Sequence, residues 1–194
     1  LQQHVEHLDY LGIHYDRYVN THPRFLSLYL SLVLRVTGEP SEVPVHVALA
    51  VFPVVGAIGM YYLGRRFGVS GLAAALLFLA APAVMVSSHL EMVDLPGTAL
   101  WVAAIALFIY GVDRRSPVLL TLAGLGFAMT MFTFYQGLSA LALAALYLVL
   151  NRRISPRLLI PVVLPALLFL AYSLYMQSTY GHLPRFSYRE GFLL

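Results

Sequence analysis

The sequence contains no cysteine and no lysine. The first absence excludes disulfides, thiolate metal sites and cysteine nucleophiles. The second makes all 12 basic residues arginine, so any grip on a phosphate must use Arg, His or backbone donors. Charge of either sign is scarce, at 11% of residues, against about 25% in soluble domains. Hydrophobic residues make up 60% of the chain and the mean hydropathy is +0.78. A chain of 194 residues this poor in charge cannot coat a water-facing surface, which makes the bilayer its solvent. The formal net charge of +3 then reads as topology and lipid contact, not nucleic-acid binding. The chain begins at Leu1, not Met, and reads as a fragment of a longer protein.

A spanning helix takes about 20 mostly apolar residues. Clear candidates are Val45–Leu63, Val69–Ser88, Val93–Val112 and Leu158–Gln177, the last loosened by Pro161 and Pro165. Between them Pro117–Leu150 runs without a charge, too long for one span and short for two. The positive-inside rule resolves it. A hairpin turning near Tyr135-Gln136-Gly137 brings Arg65/Arg66, Arg114/Arg115 and Arg152/Arg153 to one membrane face, whereas a single helix splits them. The alternate loops, 87–92 and 133–137, carry no Arg. Arg17, Arg24, Arg35, Arg185 and Arg189 dissent, in longer segments where the rule is weaker.

The expected architecture is therefore all-α: a polytopic integral membrane bundle of about six transmembrane helices in the cell membrane, plus one interfacial helix. Residues 1–44 form an external segment, 45–177 the bundle and 178–194 the start of an external loop. The interfacial helix is Arg24–Val36, too short to span, with Arg24, Ser27, Ser31 and Arg35 on one narrow polar stripe. Gly38 and Pro40 end it.

This topology collects most of the chemistry-bearing side chains at the outer, non-cytoplasmic boundary, where each is a candidate. Asp94 opens a span ahead of Leu95-Pro96-Gly97, as a helix N-cap, a catalytic carboxylate or both. Glu91 beside it makes an acidic pair, able to hold a divalent metal or orient an acceptor hydroxyl. Asp9 and Asp16 read either as general bases or as solvated loop carboxylates. In His22-Pro23-Arg24, Arg24 either forks onto a phosphate or snorkels to lipid headgroups. Tyr135 and Gln136 occupy the hairpin turn. His4, Glu6 and His7 lack a further ligand at metal-site spacing and read as a solvated segment.

The order of several short patterns resembles the GT-C membrane glycosyltransferases, in particular the dolichyl-phosphate-mannose protein mannosyltransferase-like group that includes the lipid A aminoarabinose transferases. His22-Pro23-Arg24-Phe25 with the helix closing at Thr37-Gly38-Glu39 is similar to that group's "HPPL…lfG" segment. Tyr62-Leu63-Gly64-Arg65-Arg66-Phe67-Gly68 is similar to "yllGrrlfG", and Ala81-Pro82 to "sP". Asp94 stands where the group keeps an acidic residue, and Gly124-Leu125-Gly126-Phe127 through Gln136 resembles "GlaltKy". The series covers most of 22–150.

The resemblance implies an enzyme that takes a sugar from a polyprenyl- or dolichyl-phosphate donor and passes it to a hydroxyl of a protein, lipid or glycan acceptor at the outer face. It implies Asp94, Asp9 and Asp16 as candidate catalytic carboxylates. His22, Arg24, Tyr135 and Gln136 would hold the donor phosphate, and Glu91 with Asp94 any divalent metal. Two departures stand out: Phe134 replaces a common Lys, and Arg24 replaces the second proline. The group's catalytic Asp also follows its first span, upstream of Leu1, which makes Asp9 and Asp16 stand-ins. A transporter and a non-catalytic membrane scaffold are the rival readings.

Overall fold

A computed structural model describes residues 7–10, 13–16, 25–38, 42–88, 93–150 and 155–180. It is an all-α membrane helical bundle. Its helices are α1 (Phe25–Thr37), α2 (Glu42–Leu49), α3 (Val51–Arg66), α4 (Gly71–Ala80), α5 (Pro82–Ser88), α6 (Asp94–Arg114), α7 (Pro117–Thr133), α8 (Ser139–Leu150) and α9 (Ile160–Tyr180). Ahead of them a small antiparallel hairpin pairs β1 (His7–Tyr10) with β2 (Ile13–Asp16), setting Asp9 opposite His14 and His7 opposite Asp16.

Among the described residues three helices are long and apolar enough to cross a membrane: Glu42–Arg66, which joins α2 to α3, then Asp94–Arg114 and Pro156–Ser178. A fourth crossing requires α4 and α5 to count together, and they are bent by 57°. The sequence reads Val69–Ser88 as one uninterrupted span. The break comes at Ala81, whose extended ψ of 128° is what a following proline imposes, and Pro82 offers no N–H to carry the helix on. The remaining two of the six expected crossings, α7 and α8, have 17 and 12 residues.

The helices run in alternating directions. Gly56 of α3 lies against Phe78 of α4, and Gly64 against Ala74, so these two are antiparallel. Gly59 lies against Ala103, and Arg66 pairs with Asp113, so α3 and α6 are parallel. A Cβ on Gly59 would come within 3.0 Å of the Ala103 backbone, so the two helices touch through small residues, as membrane helices do. Gly111 meets Leu120 and Gly126 meets Ala104, which makes α6 and α7 antiparallel. Gly124 contacts Pro161 and Leu164, while Phe132 stacks edge-on with Tyr172, so α7 and α9 are parallel.

Helix α8 must therefore return between them. Its buried Ala144 and Leu148 join Val112, Leu120 and Phe127 in the main core, and Tyr147 meets Phe108 at 5.5 Å between ring centroids. The hairpin read from arginine placement is present, and it reverses at the 3-10 turn Tyr135–Leu138. One end of the bundle thus gathers Arg65, Arg66, Arg114, Arg115 and Arg157. The opposite end gathers α1, the start of α6 and the end of α7.

Candidate functional site

The end opposite Arg65, Arg66, Arg114, Arg115 and Arg157 is organised by α1, whose last turn carries Arg35. Its Leu26 is buried with Val45, Leu49, Phe52 and Ala99, and its Phe25, Tyr29 and Leu30 pack around them with Val93 and Leu100. The Tyr29 hydroxyl donates to the Ala48 carbonyl at 2.9 Å, and its ring meets Phe52 edge-on at 5.4 Å. Ser27, Ser31 and Arg35 are exposed, as the stripe requires, and so are Leu28, Leu32 and Val36, which leaves a lipid-facing flank. Tyr29→Phe should lower stability by about 0.5–1.5 kcal/mol, the net contribution of one part-buried hydrogen bond. Unfolding midpoints in detergent, compared with wild type, check this.

Asp94 is the first residue of α6 and is exposed. The N-cap is Val93, with no side-chain capping bond, so the expectation that Asp94 caps the helix is overturned. The carboxylate sits inside the first turn, where it complements the positive end of the helix. Its side chain makes no hydrogen bond among the described residues, which leaves it available to a substrate. Leu95, Pro96 and Gly97 behind it are buried. Pro96 occupies an early helical position where the missing N–H breaks no bond.

The end of α7 is held against this turn. Phe134 terminates α7 in an extended conformation, and its amide donates to the Thr130 carbonyl at 3.0 Å. Its half-buried ring lies where a Cβ on Gly97 would stand. The 3-10 turn then packs back on α7: a Cβ on Gly137 would come within 2.8 Å of the Thr130 carbonyl carbon and 2.9 Å of the Met131 nitrogen. Thr130 and Thr133 are fully buried, and their hydroxyls donate to the Gly126 and Met129 carbonyls at 2.9 and 2.7 Å.

Asp94, position 134 and the 135–136 turn, far apart in sequence, therefore share one end of the bundle. Gln136 is exposed there, and Tyr135 is placed by its backbone. Asp9 and Asp16 are likewise placed by backbone only, in β1 and β2. Glu91, His22 and Arg24 lie outside the described residues, as do His4 and Glu6. Among the described residues no group of three metal-ligating side chains gathers, and Glu91, the expected partner of Asp94, lies outside them. The seat of Phe134 on Gly97 was missed in sequence. The hairpin was missed too, although His-Leu-Asp-Tyr and Ile-His-Tyr-Asp alternate with period two around Leu11-Gly12.

The sequence profile of the dolichyl-phosphate-mannose-protein mannosyltransferase family matches residues 21–177. The chain belongs to that family. Membership implies membrane glycosyltransferase activity with polyprenyl-phosphate sugar donors. No individual curated protein and no solved structure gives a match.

Proposed function

We propose that this chain transfers a sugar from a polyprenyl-phosphate donor to an acceptor hydroxyl, at the end of the bundle that carries Asp94, and that this end faces away from the cytoplasm. The observation that carries the reading is an exposed carboxylate on the first turn of α6, beside the turn that closes α7. In the step, the acceptor hydroxyl gives its proton to the Asp94 carboxylate as its oxygen bonds to the sugar's anomeric carbon. The bond from that carbon to the phosphate oxygen breaks, and the polyprenyl phosphate leaves with the electron pair. Basic side chains lower the barrier by stabilising the charge on the leaving phosphate. Because Phe134 cannot do this, the task falls to arginine, with Arg24 the first candidate and His22, Tyr135 and Gln136 as further donors.

The Phe134 replacement favours a second reading, a non-catalytic relative. Loss of transfer in Asp94→Asn supports the enzyme; no transfer from the wild-type protein with any polyprenyl-phosphate sugar supports the relative. An ion-coupled transporter is disfavoured because, among the described residues, the aspartates and arginines of α3 and α6 sit in terminal turns.

Sidedness is testable cleanly because the chain has no native cysteine. Val69→Cys, in the exposed turn beside Arg65 and Arg66, and Gln136→Cys, in the exposed opposite turn, are to be treated with a membrane-impermeant maleimide on intact cells. Gln136→Cys should label and Val69→Cys should label only after permeabilisation. The reverse pattern overturns the proposed orientation.

A further inference from the structure

At the arginine end, a cleft of about 370 Å³ opens between α3 and α6. Val55, Ile58 and Gly59 form one wall, and Ala103, Ala106 and Leu107 the other. Ile58 and Tyr62 are 53% and 47% exposed, so the cleft opens sideways to the region that lipid tails fill. Val55 and Tyr62 are seven positions apart, about 10 Å of helix. One leaflet's hydrocarbon is about 15 Å deep, half of the bilayer core. The cleft therefore has the depth of most of one acyl chain entering from the interface at the arginine end.

Its rim there is polar and ordered. Tyr62 and Tyr110 meet edge-to-face at 5.7 Å, and the Tyr110 hydroxyl donates to the Tyr62 carbonyl at 3.2 Å. The Arg114 guanidinium lies over the Tyr110 ring, 5.1 Å from its centroid, and Arg114 itself lines the cleft. Among the described residues this end carries Arg65, Arg66, Arg114, Arg115 and Arg157 against one acid, Asp113, which Arg66 engages. A net positive rim over an apolar slot is complementary to a negatively charged headgroup above a hydrocarbon tail. A zwitterionic headgroup has no net charge to answer it.

We infer that this cleft is a binding site for an anionic phospholipid of the surrounding leaflet, one acyl chain in the slot and the phosphate at Arg114. The site lies at the opposite end of the bundle from Asp94, so it does not depend on the glycosyl-transfer reading.

The single tryptophan provides the test. Trp101 has a buried Nε1 with no partner among the described residues, so Trp101→Phe leaves no hydrogen bond broken. In that background Ile58→Trp puts a fluorophore in the cleft wall. The protein is placed in phosphatidylcholine nanodiscs doped with dibrominated phosphatidylglycerol or, at equal fraction, dibrominated phosphatidylcholine. The apparent affinity of quenching should be about fivefold higher for the anionic lipid, the scale of one arginine at a membrane surface. Arg114→Gln in the same background should remove the preference. Equal quenching by both lipids overturns the site, as does a preference that survives Arg114→Gln. So does displacement of the brominated anionic lipid by stoichiometric polyprenyl phosphate, which would assign the cleft to donor tails. Native mass spectrometry on the protein with Trp101 and Ile58 intact gives an independent reading: phosphatidylglycerol adducts should persist in the parent and be lost in Arg114→Gln.

Discussion

Asp94→Asn should reduce glycosyl transfer by about 10²–10⁴-fold, the range that a positioned general base contributes. The loss should fall on kcat, because the exchange keeps size and polarity and removes only the proton-accepting charge. Stability should fall by no more than about 0.3–1 kcal/mol, the loss of one negative charge at a helix N-terminus. Asp94 is exposed, it caps nothing, and the buried residues around it are Leu95, Pro96 and Gly97. The measurement is single-turnover transfer from a polyprenyl-phosphate sugar by the full-length protein in nanodiscs, with a thermal midpoint taken in parallel. Unchanged turnover would remove Asp94 from the reaction. A parallel collapse of the midpoint would show that the residue is structural.

Gly137→Ala should be strongly damaging near the site. The added methyl group would stand 2.8 Å from the Thr130 carbonyl carbon and 2.9 Å from the Met131 nitrogen. These are main-chain atoms in a helix with buried neighbours, so no side chain can rotate away. Overpacking of this kind costs about 1–3 kcal/mol. Relief requires the 3-10 turn to lift off α7, which would shift Gln136 and loosen Phe134 from Gly97. A lower thermal midpoint together with reduced transfer is the expected result. A midpoint equal to wild type would mean that the turn is looser than the packing indicates.

These contrasts show what was legible in the sequence. The ends of the long helices were, because a run of apolar residues stops where arginine must reach water, as at Arg65/Arg66 and Arg114/Arg115. The reversal after α7 followed from the same logic applied to three arginine clusters, and the core contacts of Leu148 and Tyr147 bear it out. The break at Pro82 was not read, since a hydropathy run registers composition and is blind to one extended residue before a proline. The status of Asp94 was half legible. Its place at the head of α6 is a sequence property, while the choice between capping and a free first-turn carboxylate depends on the backbone angles of Val93. The seat of Phe134 on Gly97 joins residues from two helices, which no local pattern encodes.

The Tyr29 hydroxyl held by the Ala48 carbonyl has a mechanical consequence. It ties α1, which the sequence reads as interfacial, to the first long apolar helix, so sliding of one past the other costs that bond. In thinner or thicker bilayers, adjustment then has to come from tilt of the whole assembly or from the lipid itself. Under the proposed function, the same tie would help to hold the Asp94 carboxylate at one height relative to α1 as the host membrane changes thickness.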